Sequence, residues 1–344
     1  MILEFEKLMK IKSFSIIFIL ALVLPSCKDK KPAFTSFTGF TQGTTYSIVY
    51  DNQQNINPEE LKQKVEKILH NFDMSLSIYN DSSVISQINR NEDVITDTYF
   101  TEVFTKSALI SEMTGGAFDI TVGPLVKAWG FGPDEHKNFT ESKRDSLMKF
   151  VGMSKVLLKN GHVIKSDPGI YLDVNAIAPG YSVDVICQFL DNLEIKNYLI
   201  EIGGEVRAKG TKAGALWRIG IDKPIDNNMS PGQSLQAIVK ITDKALATSG
   251  NYRKFYVEDG IKYSHEIDPK TGYPAKNTLL SVSIIADECV MADGIATACM
   301  VMGKEKTIRF LSNHPEFEAY LVYSDDSGNF MTWISEKLAG YISL

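Results

Sequence analysis

The chain has 344 residues, 44% apolar and 23% charged, the balance of a folded globular protein with room for one large domain or two ordinary ones. Its formal net charge of −6 leaves nucleic-acid binding without electrostatic support. No low-complexity block or short-period repeat interrupts it.

The chain opens on an export signal. Met9 begins "MKIKSFSIIFILALVLPSC", in which Lys10 and Lys12 form a basic segment and Phe14 to Leu24 an apolar run too short for a comfortable transmembrane helix. Glu4 and Glu6 are acidic where a signal should be basic, so Met9 is the expected start. Cys27, directly after "LPS", resembles the lipidated cysteine of a bacterial lipoprotein box, and "KDKKP" reads as its polar tether. The expected organisation is a signal peptide over 1–26, a lipidated cysteine and tether over 27–35, and one compact unit over 36–344. The expected location is the bacterial cell envelope, anchored to a membrane through lipid and facing the periplasm. An ordinary cleaved signal with an incidental cysteine is the plainer alternative. The remaining cysteines, Cys187, Cys289 and Cys299, lack CxxC spacing, and Cys187 and Cys299 fit apolar helix faces as small hydrophobes.

Thr44 to Tyr50 is alternating and β-branched, which predicts a strand. A helix follows over 57–73: Asn57 caps, Pro58 is the first helical residue, and Leu61, Val65, Ile68 and Leu69 form the stripe. A second helix, "TDTYFTEVFTKSALISEM", stops at Gly115, and "YSVDVICQFLDNL" predicts a third. "NYLIEIGGEVRAKG", "LWRIGI", "LQAIVKI" and "LLSVSIIA" read as strands. The small-residue run "ECVMADGIATACMVMG" predicts a core helix, and helix "KEKTIRFLSNH" and strand "AYLVYS" close the chain. Strands come in pairs and threes, which favours α+β with antiparallel sheets over a doubly wound fold.

Polar groups interrupt this framework at five places. "GGAFDITVGPLVKAWGFGP" carries Asp119 among apolar residues, either at a ligand or capping a buried turn. "LDVNAIAPGYSVD" places Asp173 after a strand and a tight loop before a helix, whose free N–H groups suit an anion. "EIGGEVRAKG" has Gly203 and Gly204 at a strand end, where a bulge or turn is the plain explanation. "ALATSGNYRKFY" and "SHEIDPKTGYP" offer Thr248 and Ser249 hydroxyls and His265 three residues before Asp268, a pattern for acid–base work or for an anchored turn. No G-x-S-x-G accompanies them, which argues against a serine hydrolase. The core helix carries Asp293 and Thr297, four residues apart and so on one face. A carboxylate, a hydroxyl and backbone carbonyls suit a hard cation, Mg²⁺ best of all; taken alone, the pair is more simply explained by an internal Asp–Thr hydrogen bond.

In their order, "QGTTY", "LSIYN", "GGAFDITVGPLVKAWGFGP", "LDVNAIAPGYSVD", "EIGGEVRAKG", "ALATSGNYRKFY", "SHEIDPKTGYP" and "ADGIAT" resemble the FAD:protein FMN transferase (ApbE) family from about Phe40 to the C-terminus. The resemblance implies an α+β, T-fold-like architecture, FAD as substrate, Mg²⁺, and transfer of FMN to a threonine hydroxyl of a target flavoprotein with release of AMP. Family targets include subunits of sodium-pumping NADH:quinone oxidoreductases and related electron-transfer complexes. Carried over by motif, Asp293 and Thr297 match metal ligands and the carbonyl of Ala176 the remaining metal contact. Asp173 matches a flavin-site contact and Tyr79 an aromatic that packs on the flavin. Ala117, Phe118 and Asp119 match residues lining the FAD site, with Thr248 beside it. Gln42 stands where the family often has methionine. His265 matches a histidine near the reacting phosphate, with Asp268 as its orienter, and Ile267 lies by the adenosine end. The family commonly has "IAKG" where this chain has "IAPG", so Pro179 removes a cationic side chain and an N–H donor; Lys244, Arg253 and Lys254 are candidates to compensate. Two rival activities share these residues: an FAD pyrophosphatase, and a flavin-binding lipoprotein without catalysis.

Overall fold

The computed structural model describes residues 34–131, 139–225, 232–252, 255–258 and 261–343. Residues Phe34–Leu344 make one compact unit. Cys27 and the signal segment lie outside the described residues, as do Arg253 and Lys254.

In chain order, β1 (Phe34–Thr41) and β2 (Thr44–Asp51) precede α1 (Pro58–Leu76), α2 (Val84–Asn89), α3 (Thr98–Met113), α4 (Gly123–Ala128) and α5 (Glu141–Met148). A small hairpin, β3 (Val156–Lys159) and β4 (His162–Lys165), leads to α6 (Ala178–Asn192). The strands β5 (Tyr198–Ile202), β6 (Glu205–Lys209), β7 (Trp217–Asp222), β8 (Leu235–Ile241) and β9 (Lys244–Gly250) follow. Then come β10 (Phe255–Glu258), β11 (Ile261–Ser264), β12 (Leu279–Ala286), α7 (Cys289–Met302), α8 (Lys304–Asn313), β13 (Glu318–Ser324), β14 (Phe330–Ile334) and β15 (Ile342–Ser343).

The main sheet has eight strands in the order β1-β2-β5-β6-β9-β12-β13-β14, each pair antiparallel. Its helical face packs on α1, α3, α6 and α7, and its other face on the three-stranded sheet β15-β8-β7. The sequence explains this division. In β5, Tyr198, Ile200 and Ile202 alternate towards the helices, whereas in β6 Val206 and Ala208 turn to the small sheet. β12 is covered on both sides, so it reads as an apolar run without alternation: Val282 and Ile284 join the helical core and Ile285 the other.

Local signals set the joints. Asn57 accepts from the N–H groups of Glu59 and Glu60 at the start of α1. Gly203 (φ 66°) and Gly204 (φ 113°) form the two-residue turn between β5 and β6, a geometry that needs two positive φ angles. Cys187, Cys289 and Cys299 are all free and buried.

Candidate functional site

The site is built on two helices that close each other's ends. Asp184 of α6 accepts from the N–H groups of Cys289 (3.0 Å) and Val290 (2.8 Å), the first turn of α7, and pairs with Arg207 at 2.5 Å. In return Asp293 of α7 accepts from the Gly180 N–H in the first turn of α6, at 2.9 Å. The helices touch at Gly180: a Cβ there would lie 2.5 Å from the Cys289 carbonyl oxygen and 2.6 Å from Asp293 Cβ. Only glycine permits the approach. The N–H groups of Ala178 and Tyr181 bond Val174 and Ile177, so the start of α6 does not offer a free nest to an anion. Pro179 stands in the first turn, where a missing N–H costs no helical bond.

Above this pair lies a cleft of about 250 Å³. Asp293, Thr297, Ala176, Pro179 and Asp173 line its floor, and Thr248 and Ser249 come from the end of β9. Ala117, Phe118 and Asp119 form one wall, and His265, Glu266 and Ile267 another, with Tyr79 at the mouth. Asp293 and Thr297 do share a helix face, but no hydrogen bond joins them; Thr297 Oγ1 lies 3.2 Å from Ser249 Oγ. Among the described residues the one donor to the Asp293 carboxylate is Gly180 N–H. Burial pushes this carboxyl up to about 7; the Gly180 hydrogen bond opposes that and the charge of Asp184 adds to it.

Asp119 is placed differently. Its Oδ1 accepts from Thr121 N (2.8 Å) and Thr121 Oγ1 (2.6 Å), and its Oδ2 from Met153 N (2.8 Å). Burial raises its carboxyl, and these bonds pull against the rise. Asp119 borders the cleft but its oxygens cap a turn. Asp173 Oδ1 accepts from Asn175 N at 3.0 Å, and Thr248 Oγ1 lies 2.7 Å from Ser283 Oγ.

Two sequence candidates fall outside this cleft. Asp268 Oδ1 accepts from Lys270 N at 2.9 Å while its backbone closes the "DPKTGY" turn through Tyr273 and Gly272, so it serves as a turn cap. Gln42 (φ 50°) sits in the β1–β2 turn and lines a second groove of about 830 Å³. The groove shares Tyr79, Asn175 and Pro179 with the cleft, so the two adjoin at these residues. Tyr79 is 63% exposed, an unusual state for a large aromatic, and its hydroxyl accepts from Asn175 Nδ2 at 3.4 Å. Lys244 pairs with Asp287 and does not line the cleft.

Sequence reasoning passed over Glu266, a buried acid in this wall. Its signal was available: a lone glutamate between His265 and Ile267 just before a turn. Among the described residues no cluster of three or more His, Cys, Asp or Glu side chains could hold a metal by itself. A cation here would rest on one carboxylate, Asp293, with hydroxyl, carbonyl and ligand oxygens, a donor set that fits Mg²⁺ rather than a softer metal.

The sequence model of the ApbE family matches residues 42–321. An FAD:protein FMN transferase of Vibrio cholerae is 34% identical over 94% of this chain and 96% of its own length. One from Haemophilus influenzae is 34% identical over 90% of this chain and 92% of its own. The solved structure of the flavin transferase ApbE from Vibrio cholerae superposes with a TM-score of 0.81 at 33% identity, covering 90% of this chain and 99% of that one.

Proposed function

Because the chain belongs to the ApbE family, we infer that it is an FAD:protein FMN transferase, moving FMN from FAD to a flavoprotein acceptor. The observation that carries this reading is convergence: Asp293 and Thr297 on α7, His265 after β11 and Tyr79 after α1 open on one cleft, although they are far apart in sequence.

In our reading the reaction is a phosphoryl transfer. A threonine Oγ of the acceptor attacks the phosphorus on the FMN side of the pyrophosphate. The bond from that phosphorus to the bridging oxygen breaks, and AMP leaves with the bridging oxygen. The threonine proton passes to His265, which stands on the cleft wall with its side chain 36% exposed. Tyr79 offers its exposed face to the isoalloxazine, and the route past Asn175 and Pro179 to Gln42 gives the ring system length to extend. Asp293, Thr297 and the Ala176 carbonyl would hold Mg²⁺, which when bound withdraws charge from the phosphoryl oxygens. What supports the cation is Asp293 itself, a buried carboxylate on the cleft floor with a single donor.

The lipid anchor at Cys27 and the periplasmic location rest on the "LPSC" sequence, and the acceptor class, a subunit of a sodium-pumping NADH:quinone oxidoreductase or related complex, on the family. Among the described residues no helix is long and apolar enough to cross a membrane. Intact mass of the protein from its native host, showing an unmodified Cys27, would reject the anchor.

Incubation with FAD, with and without Mg²⁺ and with and without a recombinant subunit of such an oxidoreductase, tests the activity. Covalent flavin on the subunit, with one AMP released per flavin and loss of both on chelation, is the expected result. AMP without acceptor would establish hydrolysis instead, and intact FAD throughout would leave only binding.

A further inference from the structure

Among the described residues, the one acid with two buried carboxylate oxygens that both lack a hydrogen bond stands beside the candidate base. Glu266 is 5% exposed, both of its carboxylate oxygens are shut off from water, and neither accepts a hydrogen bond. A carboxylate in that state is costly, so its surroundings must repay it in some arrangement of the protein. Among the described residues the one basic group within ion-pair reach is His265, whose Nδ1 lies 3.4 Å from Glu266 Oε1. The placement is built in: the Glu266 carbonyl accepts from Ala275 N at 2.8 Å, and the next residue, Ile267, bridges to Pro274. His265 thus lines the cleft with a partly exposed side chain and has a buried carboxylate beside its Nδ1. Asp268, the other acid of the segment, accepts from Lys270 N in the turn that follows.

We propose that Glu266 is the positioning residue for His265, holding the ring with its Nδ1–H towards the carboxylate and its Nε2 towards the acceptor hydroxyl. The inference rests on the reading of His265 as the base. A neutral imidazole carries one N–H, and its position decides which nitrogen has the lone pair. A carboxylate that accepts at Nδ1 leaves Nε2 to take the threonine proton. The imidazolium so formed then lies against a negative charge, and the proton stays on Nε2 until AMP has left. At 3.4 Å the contact is longer than a good hydrogen bond. Such contacts in unliganded enzymes commonly shorten when substrate fills the site.

The test uses the Glu266→Gln variant of the full protein, with FAD, Mg²⁺ and the recombinant oxidoreductase subunit. Glutamine keeps the size but can present its NH₂ to Nδ1, which favours the wrong tautomer. We expect kcat for flavin transfer to fall at least about a hundredfold while KM for FAD stays within about twofold. In ¹⁵N-histidine spectra at a pH where the ring is neutral, the His265 signal should move from the Nδ1–H to the Nε2–H pattern. That signal is identified among the five histidines by its loss in His265→Asn. Glu266→Asp should recover part of kcat. Wild-type kcat in Glu266→Gln, or an unchanged His265 tautomer, overturns the proposal even if the variant is less stable. A His265→Asn enzyme with the wild-type rate would instead remove the base itself, a separate failure. If His265→Asn is inactive and the tautomer is indifferent to residue 266, only the positioning role falls.

Discussion

Two buried aspartates border the same cleft, and their surroundings have opposite logic. Asp119, in the segment between α3 and α4, spends both oxygens on its own chain: Thr121 supplies two donors and Met153 a third. Asp293, in the contact between α6 and α7, accepts only from Gly180 N–H and faces the cleft. A buried carboxylate saturated by local donors holds a turn. One with a single donor has capacity left for a ligand, and burial makes a cation its best partner.

Substitution by asparagine should separate the two most sharply. Asp293→Asn removes the charge at constant size. It should lower flavin transfer by about a hundredfold or more, flatten the response to a Mg²⁺ titration and leave the circular dichroism spectrum unchanged. A variant with normal rate and normal metal dependence would erase the distinction. Asp119→Asn should do the reverse. An amide has one acceptor oxygen for three donors, so unfolding free energy from urea titration should drop by about 1–3 kcal/mol, while transfer per folded molecule changes by less than about threefold. Thr297→Val tests the floor more gently, since a neutral hydroxyl contributes less to a hard cation than a carboxylate does. Its transfer rate should fall by less than that of Asp293→Asn, with a higher Mg²⁺ requirement for half-maximal rate. Tyr79→Ala, at the mouth, should weaken FAD binding by about three- to tenfold through lost stacking, measured by fluorescence quenching, with kcat little changed. Unchanged affinity would take Tyr79 out of the flavin site.

Much of the frame was legible because its signals are local. The Asn57 cap and the Leu61–Val65–Leu69 stripe fall on α1 as read, and the alternation of "NYLIEI" falls on β5. Other elements escaped for physical reasons. β1 is an edge strand whose Phe and Thr residues are mostly half-buried or exposed, so it has little apolar contrast. β9, "KALATSG", is built of small residues, so its composition signals a motif rather than the strand it forms at the centre of the sheet. α2 has six residues, too few to display a period. At the site, the shared face of Asp293 and Thr297 followed from helical spacing, but the Asp119 cap depends on Met153, and the pairing of Asp293 with Gly180 crosses 113 residues. For Asp268, expected to orient His265, the structure shows a local role instead: its Oδ1 caps Lys270 N in the "DPKTG" turn, a bond set by the turn and not by spacing from the histidine.

The exchange of carboxylates between α6 and α7 has a further consequence, for the order in which this molecule assembles. The three bonds that fix Asp293 and Asp184 span 105 to 113 residues, so no local fragment of the chain contains them. The floor of the cleft exists only after two distant parts of the chain have docked, an event that carries the loop-closure cost of a long-range contact. The amide hydrogens of Gly180, Cys289 and Val290 therefore report on the floor directly. They should exchange with solvent together, at the rate of the cooperative unit that joins the helices rather than at the faster rate of fraying ends.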